Sequence, residues 1–131
     1  MRYLGIDYGS KRTGLAISDP EGRLAVVKET IEATEDSVIL ERLNDIILKE
    51  DVDAIVIGVP TNMNGNATHM TDRVERFVHL LANELEVPVY SVDERLTSVM
   101  AERMTREHKS AQTDQIAAQI LLQNYLDRQN V

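Results

Sequence analysis

Short apolar stretches fill the first third of the chain, and groups of glycine, proline and charged residues separate them. The separating groups are residues 9–12 and 19–22, whose composition is typical of tight turns. Because short connections join antiparallel strands, this region predicts a three-stranded meander. The predicted strands are 3–8, 13–18 and 24–30. Gly14, inside the second strand, indicates a close approach by another backbone.

The middle of the chain predicts a helix, a buried strand and a longer helix. A helix that ends at about Glu50 is predicted by apolar residues at helical spacing, and Thr34 or Asp36 is its expected cap. The apolar residues are Ile39, Leu43, Ile46 and Ile47. The continuous apolar run 54–58 is typical of a parallel strand that is buried on both faces. Residues 68–84 have the clearest amphipathic pattern of the sequence and predict the longer helix.

The last third predicts one more strand, at 89–92, and two helices, at 97–107 and 114–127. Thr113 is the expected cap of the final helix. Asp114 heads the apolar stripe of that helix, so we expect its side chain to face the core. The order of elements predicts an α/β fold with a five-stranded mixed sheet, in which three antiparallel strands precede two parallel ones and helices cover both faces.

Length and composition narrow the class of protein. The 131 residues, of which 43% are hydrophobic and 27% charged, are typical of one globular domain. The absence of cysteine excludes disulfides and thiolate zinc sites. No stretch resembles a signal peptide or a membrane helix, so we expect a cytoplasmic protein with no membrane partner.

The net charge of −8 argues against a protein that is basic over its whole surface. The charge is uneven, however: residues 29–53 hold nine acidic and two basic side chains, whereas residues 95–109 hold four basic and two acidic ones. Each basic residue alone is most simply a solvated surface charge, but several recur beside acidic residues. The candidate phosphate contacts are Lys11, Arg12, Arg95, Arg103, Arg106 and Lys109.

Four carboxylates lie where predicted strands end or where the last helix begins: Asp7, Asp93, Glu94 and Asp114. Considered singly, Asp7 could cap a turn and Asp114 could interact with a helix dipole. Carboxylates crowded at one sheet edge repel each other unless a divalent cation lies among them. With no cysteine and no paired histidine motif, such oxygen ligands favour Mg²⁺ or Mn²⁺, and a site of this kind suits phosphoryl transfer.

Four motifs occur in order along nearly the whole chain. They are GIDYGSKR at 5–12, GVP with NMNG at 58–60 and 62–65, VDERLT at 92–97, and DQIAA at 114–118. Together they resemble the YqgF (RuvX-like) family of bacterial proteins. Residues 66–69 and the pair Gln115 and Ile116 depart from the family's usual pattern, but neither departure removes a carboxylate.

The resemblance implies a ribonuclease H-like fold and a nuclease that processes the 5′ end of the 16S ribosomal RNA precursor. It also implies that Asp7, Glu94 and Asp114 are the catalytic, metal-binding carboxylates. Asp93 competes with Glu94 for the middle position, since strand alternation lets only one of the two neighbours face the site. We prefer Glu94 because its longer side chain reaches further from the strand end.

Three alternative functions remain open from the sequence. The closest is Holliday-junction resolution on branched DNA, which favours a homodimer over a monomer. A nucleotide-binding module is suggested by a superficial likeness of residues 7–11 to the phosphate loops of actin-like ATPases, but those proteins need two such domains. The third alternative is a nucleic-acid-binding factor that has the same fold and no catalytic role.

Overall fold

The computed structural model describes residues 1–61, 69–95 and 111–130. The strands are β1 (Tyr3–Asp7), β2 (Arg12–Ser18), β3 (Ala25–Glu32), β4 (Ala54–Thr61) and β5 (Val89–Arg95), and the helices are α1 (Asp36–Glu50), α2 (His69–Glu84) and α3 (Ala111–Gln129).

The five strands of the described residues form one mixed sheet, in the order β3-β2-β1-β4-β5. The meander β1–β2–β3 is antiparallel, while β1 pairs with β4, and β4 with β5, in parallel. The carboxyl ends of β1, β4 and β5 therefore point to the same edge of the sheet. This arrangement confirms the predicted mixed sheet of three antiparallel and two parallel strands.

Helices α1 and α2 pack against one face of the sheet. Large aliphatic and aromatic side chains build this core, because alternate strand residues such as Leu4 and Ile6 face the apolar stripes of both helices. The helical side of this core comprises Ile39, Leu43, Ile46, Val74, Phe77, Leu81 and Leu85.

Helix α3 packs against the opposite face, where alanine and glycine of the strands lie beside larger side chains. Ala16, Ala25 and Val56 of the strands meet Ala118, Leu122 and Leu126 of the helix. A Cβ atom added at Gly5 would lie 2.8 Å from Cβ of Leu122, so the glycine allows α3 to lie close to β1. The expected helices on both faces are thus confirmed.

Several element boundaries differ from those expected. Strands β4 and β5 run to Thr61 and Arg95, each three residues beyond the apolar runs that predicted them, because parallel pairing continues through Pro60 and Glu94. Glu35 is the N-cap residue of α1 and makes no side-chain capping hydrogen bond, so the expected cap at Thr34 or Asp36 is wrong.

Helix α3 also begins earlier than expected. It starts at Ala111, which places Thr113 inside the helix rather than at its cap. The predicted helix at 97–107 lies outside the described residues. Among the residues that are described, no helix combines the length with the apolar character needed to cross a bilayer.

Candidate active site

Asp7 ends β1 at the edge of the sheet where the parallel strands also end. Leu4 and Ile6 face the core formed with α1 and α2, so alternation places Gly5 and Asp7 on the α3 face. Asp7 Oδ2 is buried, although a carboxylate on a sheet face needs compensation by a cation or by hydrogen bonds. Asp7 is paired directly with Gly14 of β2.

At Gly14 of β2, the first turn of α3 packs directly against the sheet. A Cβ atom there would overlap the carbonyl oxygen of Asp114 and would lie 2.9 Å from Cβ of Asp114. Directly paired residues of antiparallel strands are about 5 Å apart and share a face. The missing side chain therefore lets Asp114 and Asp7 lie on either side of the same glycine, as expected from the position of Gly14 in the second strand.

Asp114 lies in the first turn of α3, and its side chain is only 2% exposed. Its position at the core-facing side of the helix confirms that it heads the buried stripe. Nε of Arg12 lies 3.0 Å from Oδ2 of Asp114, and the Arg12 side chain is 28% exposed. The positive end of the helix dipole also favours a carboxylate at this place.

Strand pairing separates the two neighbouring acids of β5. Asp93 pairs with Val59, which packs against the core formed with α1 and α2, and Asp93 itself is exposed. Val92 packs against the α3 cluster instead. Position 94, two residues after Val92, therefore has the register of the face that carries Asp7. The side chains of Glu94 and Arg95 lie outside the part of the chain that the structure describes.

The candidate phosphate contacts differ in their surroundings. Lys11 is exposed in the turn between β1 and β2, whereas Arg12 is half-buried against Asp114. The predicted contacts at Arg103, Arg106 and Lys109 lie outside the described residues. The structure thus brings Arg12 to the acidic site and leaves Lys11 at its rim.

The donor atoms at this edge suit a hard divalent cation. Asp7 and Asp114 supply carboxylate oxygens on one face, and such oxygens are the ligands preferred by Mg²⁺ and Mn²⁺. No group of three metal-ligating side chains occurs within residues 1–61, 69–95 and 111–130. A third oxygen ligand from Glu94 would fit the register of β5, and this side chain is not among those described.

A polar network on the opposite face holds Tyr8, the residue after Asp7, and no sequence motif predicts this network. The hydroxyl group of Tyr8 donates to Oδ1 of Asp36 at 2.6 Å and accepts from Nε of Arg73 at 3.2 Å. The Tyr8 ring stacks on Phe77 with a centroid separation of 4.4 Å. Burial and the hydrogen bond to Asp36 raise the pKa of Tyr8. These contacts hold the backbone of Tyr8 in place, directly after Asp7 at the end of β1.

Comparison with known proteins relates this chain to one family over nearly its whole length. A family model described as "RuvX: Holliday junction resolvase" matches residues 1–128. A protein of Lactobacillus johnsonii named "Putative pre-16S rRNA nuclease" is 41% identical, over 97% of this chain and 96% of its own. A protein of the same name from a Geobacillus species is 42% identical, over 97% of this chain and 98% of its own.

Solved structures confirm the fold. RuvC of Thermus thermophilus, in a complex with a Holliday junction substrate, aligns with a TM-score of 0.61 over 100% of this chain and 97% of its own. Only 18% of the aligned residues are identical, so this likeness concerns the fold alone. The ribonuclease H-like architecture expected from the motifs is thereby confirmed.

Proposed function

We propose that this chain, which belongs to the RuvX family, is a divalent-metal-dependent nuclease that processes the 5′ end of the 16S ribosomal RNA precursor in the cytoplasm. Residues 1–131 form one nuclease domain in this proposal. The observation that carries it is the meeting of Asp7 and Asp114 across Gly14 at the carboxyl edge of the parallel strands. The names of the relatives direct the proposal toward ribosomal RNA.

Asp7, Glu94 and Asp114 would hold the cation, either Mg²⁺ or Mn²⁺, through carboxylate oxygens. A divalent ion in such a site supplies an activated water and stabilises the charge that develops on the leaving oxygen. The basic residues would position the scissile phosphate beside the cation that these carboxylates hold. Hydrolysis breaks one phosphorus–oxygen bond of the nucleic-acid backbone, and water provides the new oxygen and the proton for the leaving group.

The basic residues would bind the backbone on either side of the scissile phosphate. Lys11 is exposed beside the end of β1, so it can reach a phosphate without giving up a contact with a buried carboxylate. Arg95 at the end of β5 adds positive charge, and so do three residues between β5 and α3 in the sequence: Arg103, Arg106 and Lys109. Because the protein as a whole is acidic, this local charge would direct nucleic acid to the carboxylate edge.

Resolution of branched DNA is the second candidate. It is favoured by the description of the matching family model and by the fold shared with a junction resolvase. Symmetric cleavage of a four-way junction suits a homodimer, whereas RNA trimming can be performed by a monomer. The chemistry at the carboxylates is the same in both cases, and the substrate distinguishes them.

The test compares a labelled 16S precursor fragment with a four-way DNA junction, each in Mg²⁺, Mn²⁺ or chelator. We expect metal-dependent cleavage of the RNA, and the Asp7→Asn protein should be at least about a hundredfold slower, since even outer-shell changes cost tenfold to a hundredfold. Cleavage of the junction alone would move the function to recombination. Cleavage of neither substrate, with intact binding, would favour the non-catalytic factor.

Asp93 and Glu94 provide a matched pair for the same assay. Asp93→Asn removes a carboxylate that the register places on the other face, whereas Glu94→Gln removes the neighbouring one. We expect Glu94→Gln to lose cleavage and Asp93→Asn to retain it. The reverse result would assign the middle position to Asp93.

A further inference from the structure

Arg12 differs from Lys11, the other candidate phosphate contact whose side chain the structure describes, because its charge is directed at a buried acid. Its Nε lies 3.0 Å from Oδ2 of Asp114, which is 2% exposed, while Arg12 is 28% exposed. A buried carboxylate is costly unless an opposite charge lies beside it. The half-buried guanidinium provides that charge from the solvent side of the site.

The backbone around Arg12 holds it in this position. A Cβ atom at Gly9 would overlap the carbonyl oxygen of Arg12, so the turn after β1 closes tightly on the start of β2. The N–H of Ala33 donates to the carbonyl oxygen of Lys11 at 3.1 Å. Arg12 and Gly14 share one face of β2, and Gly14 lies against the backbone of Asp114. The side chain therefore projects toward Asp114 from a fixed base.

We propose that Arg12 is a positioning residue that neutralises and orients Asp114 in the metal-free protein and competes with the divalent cation for that carboxylate. This inference rests on the proposed function, because it assumes that Asp114 is a metal ligand. It assigns Arg12 a different role from Lys11, which carries the same charge one residue earlier. A divalent cation beside Asp114 must displace the guanidinium or tolerate its charge, and both effects weaken cation binding.

Competition between Arg12 and the cation predicts the direction in which the Kd for the cation changes when Arg12 is replaced. Loss of the guanidinium raises the free energy of the metal-free state more than that of the metal-bound state, so cation binding becomes tighter. We expect Arg12→Gln to lower the Kd for Mn²⁺ by about fivefold, the lower end of ordinary coupling between sites. A residue that only supports the fold would leave this Kd unchanged or would raise it.

The experiment titrates Mn²⁺ into the full-length protein and measures free Mn²⁺ by electron paramagnetic resonance. Lys11→Gln is the matched control, since it removes the same charge from the adjacent exposed position. We expect its Kd to stay within about twofold of wild type, because exposed charges are screened by solvent. An equal decrease of the Mn²⁺ Kd in both variants would overturn the proposal, because the decrease would then come from the loss of any nearby positive charge.

Thermal unfolding provides a second readout that does not depend on cleavage. In chelator, Arg12→Gln should unfold at a lower temperature than wild type, because the positive charge 3.0 Å from Oδ2 of Asp114 is removed. Saturating Mn²⁺ should restore most of the difference, since the cation then supplies the opposite charge. A deficit that persists undiminished in Mn²⁺ would assign Arg12 a structural role alone and overturn the proposal.

Two further variants separate failure of this inference from failure of the proposed function. Asp114→Asn should lose Mn²⁺ binding, and if it binds as wild type does, the metal site itself is wrong. If Asp114→Asn loses binding while Arg12→Gln binds as wild type does, only the role of Arg12 is wrong. Should Arg12→Gln fail to fold in chelator, saturating Mn²⁺ should restore its folding, because the cation then supplies the charge opposite to Asp114. A variant that stays unfolded in saturating Mn²⁺ would overturn the inference.

Discussion

The two faces of the sheet are packed in different ways, although the same strands build both. The face toward α1 and α2 is filled by large side chains, among which Leu43, Phe77 and Leu81 are fully buried. The face toward α3 combines glycine and alanine with leucine and valine, and the helix approaches the strands closely at Gly5 and Gly14. The face toward α1 and α2 is stabilised by the burial of large side chains. The face toward α3 allows the start of that helix to lie close to the strands.

This difference explains where the candidate chemistry lies. A large apolar core tolerates substitution among apolar side chains when their total volume is kept. A site that joins two carboxylates from different elements also needs their backbones held at one fixed separation. Asp7 and Asp114 meet on the glycine-lined face, and the opposite face holds β1 in place beneath them through Tyr8.

The substitution Gly14→Ala should have the largest effect on cleavage. The added Cβ would overlap the carbonyl oxygen of Asp114, so α3 must move away from β2. We expect a loss of about 1–3 kcal/mol in the free energy of unfolding and a fall of about a hundredfold in cleavage per folded molecule, as displacements near 1 Å can produce. Denaturant unfolding and single-turnover cleavage measure both effects. A variant that cleaves like wild type would show that the close approach does not matter for the site.

Leu43→Ala tests the other face and should separate stability from activity. Leu43 is fully buried between α1 and the sheet, so its truncation should cost about 2–5 kcal/mol of unfolding free energy. Because α3 and the carboxylates lie on the far side of the sheet, cleavage per folded molecule should stay close to wild type. A large loss of activity at a temperature where the variant is fully folded would mean that the two faces are not independent.

Tyr8→Phe should have a smaller effect on stability. It removes the hydroxyl group between Asp36 and Arg73 but keeps the ring on Phe77, so we expect a cost of about 1–2 kcal/mol. The folded-state pKa of Tyr8 is raised above 10.0, mainly by burial. The stability that the neutral hydroxyl contributes is therefore complete below pH 10 and is lost as the pH rises through the folded-state pKa. Urea unfolding at pH 8 and above pH 10 should show the difference from wild type shrinking, and a growing difference would refute this sign.

Glu29→Gln should have the smallest effect. Arg42 makes a double hydrogen bond to Glu29, at 2.8 and 2.7 Å, and this contact lowers the pKa of Glu29. Both side chains are partly exposed, so the pair should contribute less than about 1 kcal/mol. That contribution is present above the ordinary pKa and is lost as the pH falls through the lowered one. The difference in unfolding free energy between the two proteins should be smaller at pH 3 than at pH 7, and a difference of equal size at pH 3 would rule out the ion pair as its cause.

The sequence predicted the fold well where periodicity was strong. The uninterrupted apolar run of β4 indicated a buried parallel strand, and the turns at 9–12 and 19–22 indicated the meander. Boundaries were less predictable, because pairing with a neighbour extends β4 and β5 through polar residues that have no strand signal of their own. Thr113 resembles a helix cap in composition, but composition alone does not show that α3 begins two residues earlier, at Ala111.

The site was predictable in its residue types but not in its contacts. The position of Asp7 at a strand end and of Asp114 on a core-facing stripe followed from short-range pattern. The choice between Asp93 and Glu94 depends on the register of β5 against β4, which is set by long-range pairing. The contact of Arg12 with Asp114 joins residues about a hundred positions apart, so nothing local in the sequence could distinguish Arg12 from Lys11.

A cation site between Asp7 and Asp114 can be mapped by replacing Mg²⁺ with Fe²⁺ and adding ascorbate and hydrogen peroxide. Hydroxyl radicals generated at a bound Fe²⁺ then cut the nearby backbone, and mass spectrometry maps the cuts. We expect cuts at the end of β1 beside Asp7 and at the start of α3 beside Asp114, which excess Mg²⁺ and the Asp7→Asn substitution should abolish. Cuts confined to other parts of the chain, or cuts unchanged by Asp7→Asn, would contradict a cation site between these two carboxylates.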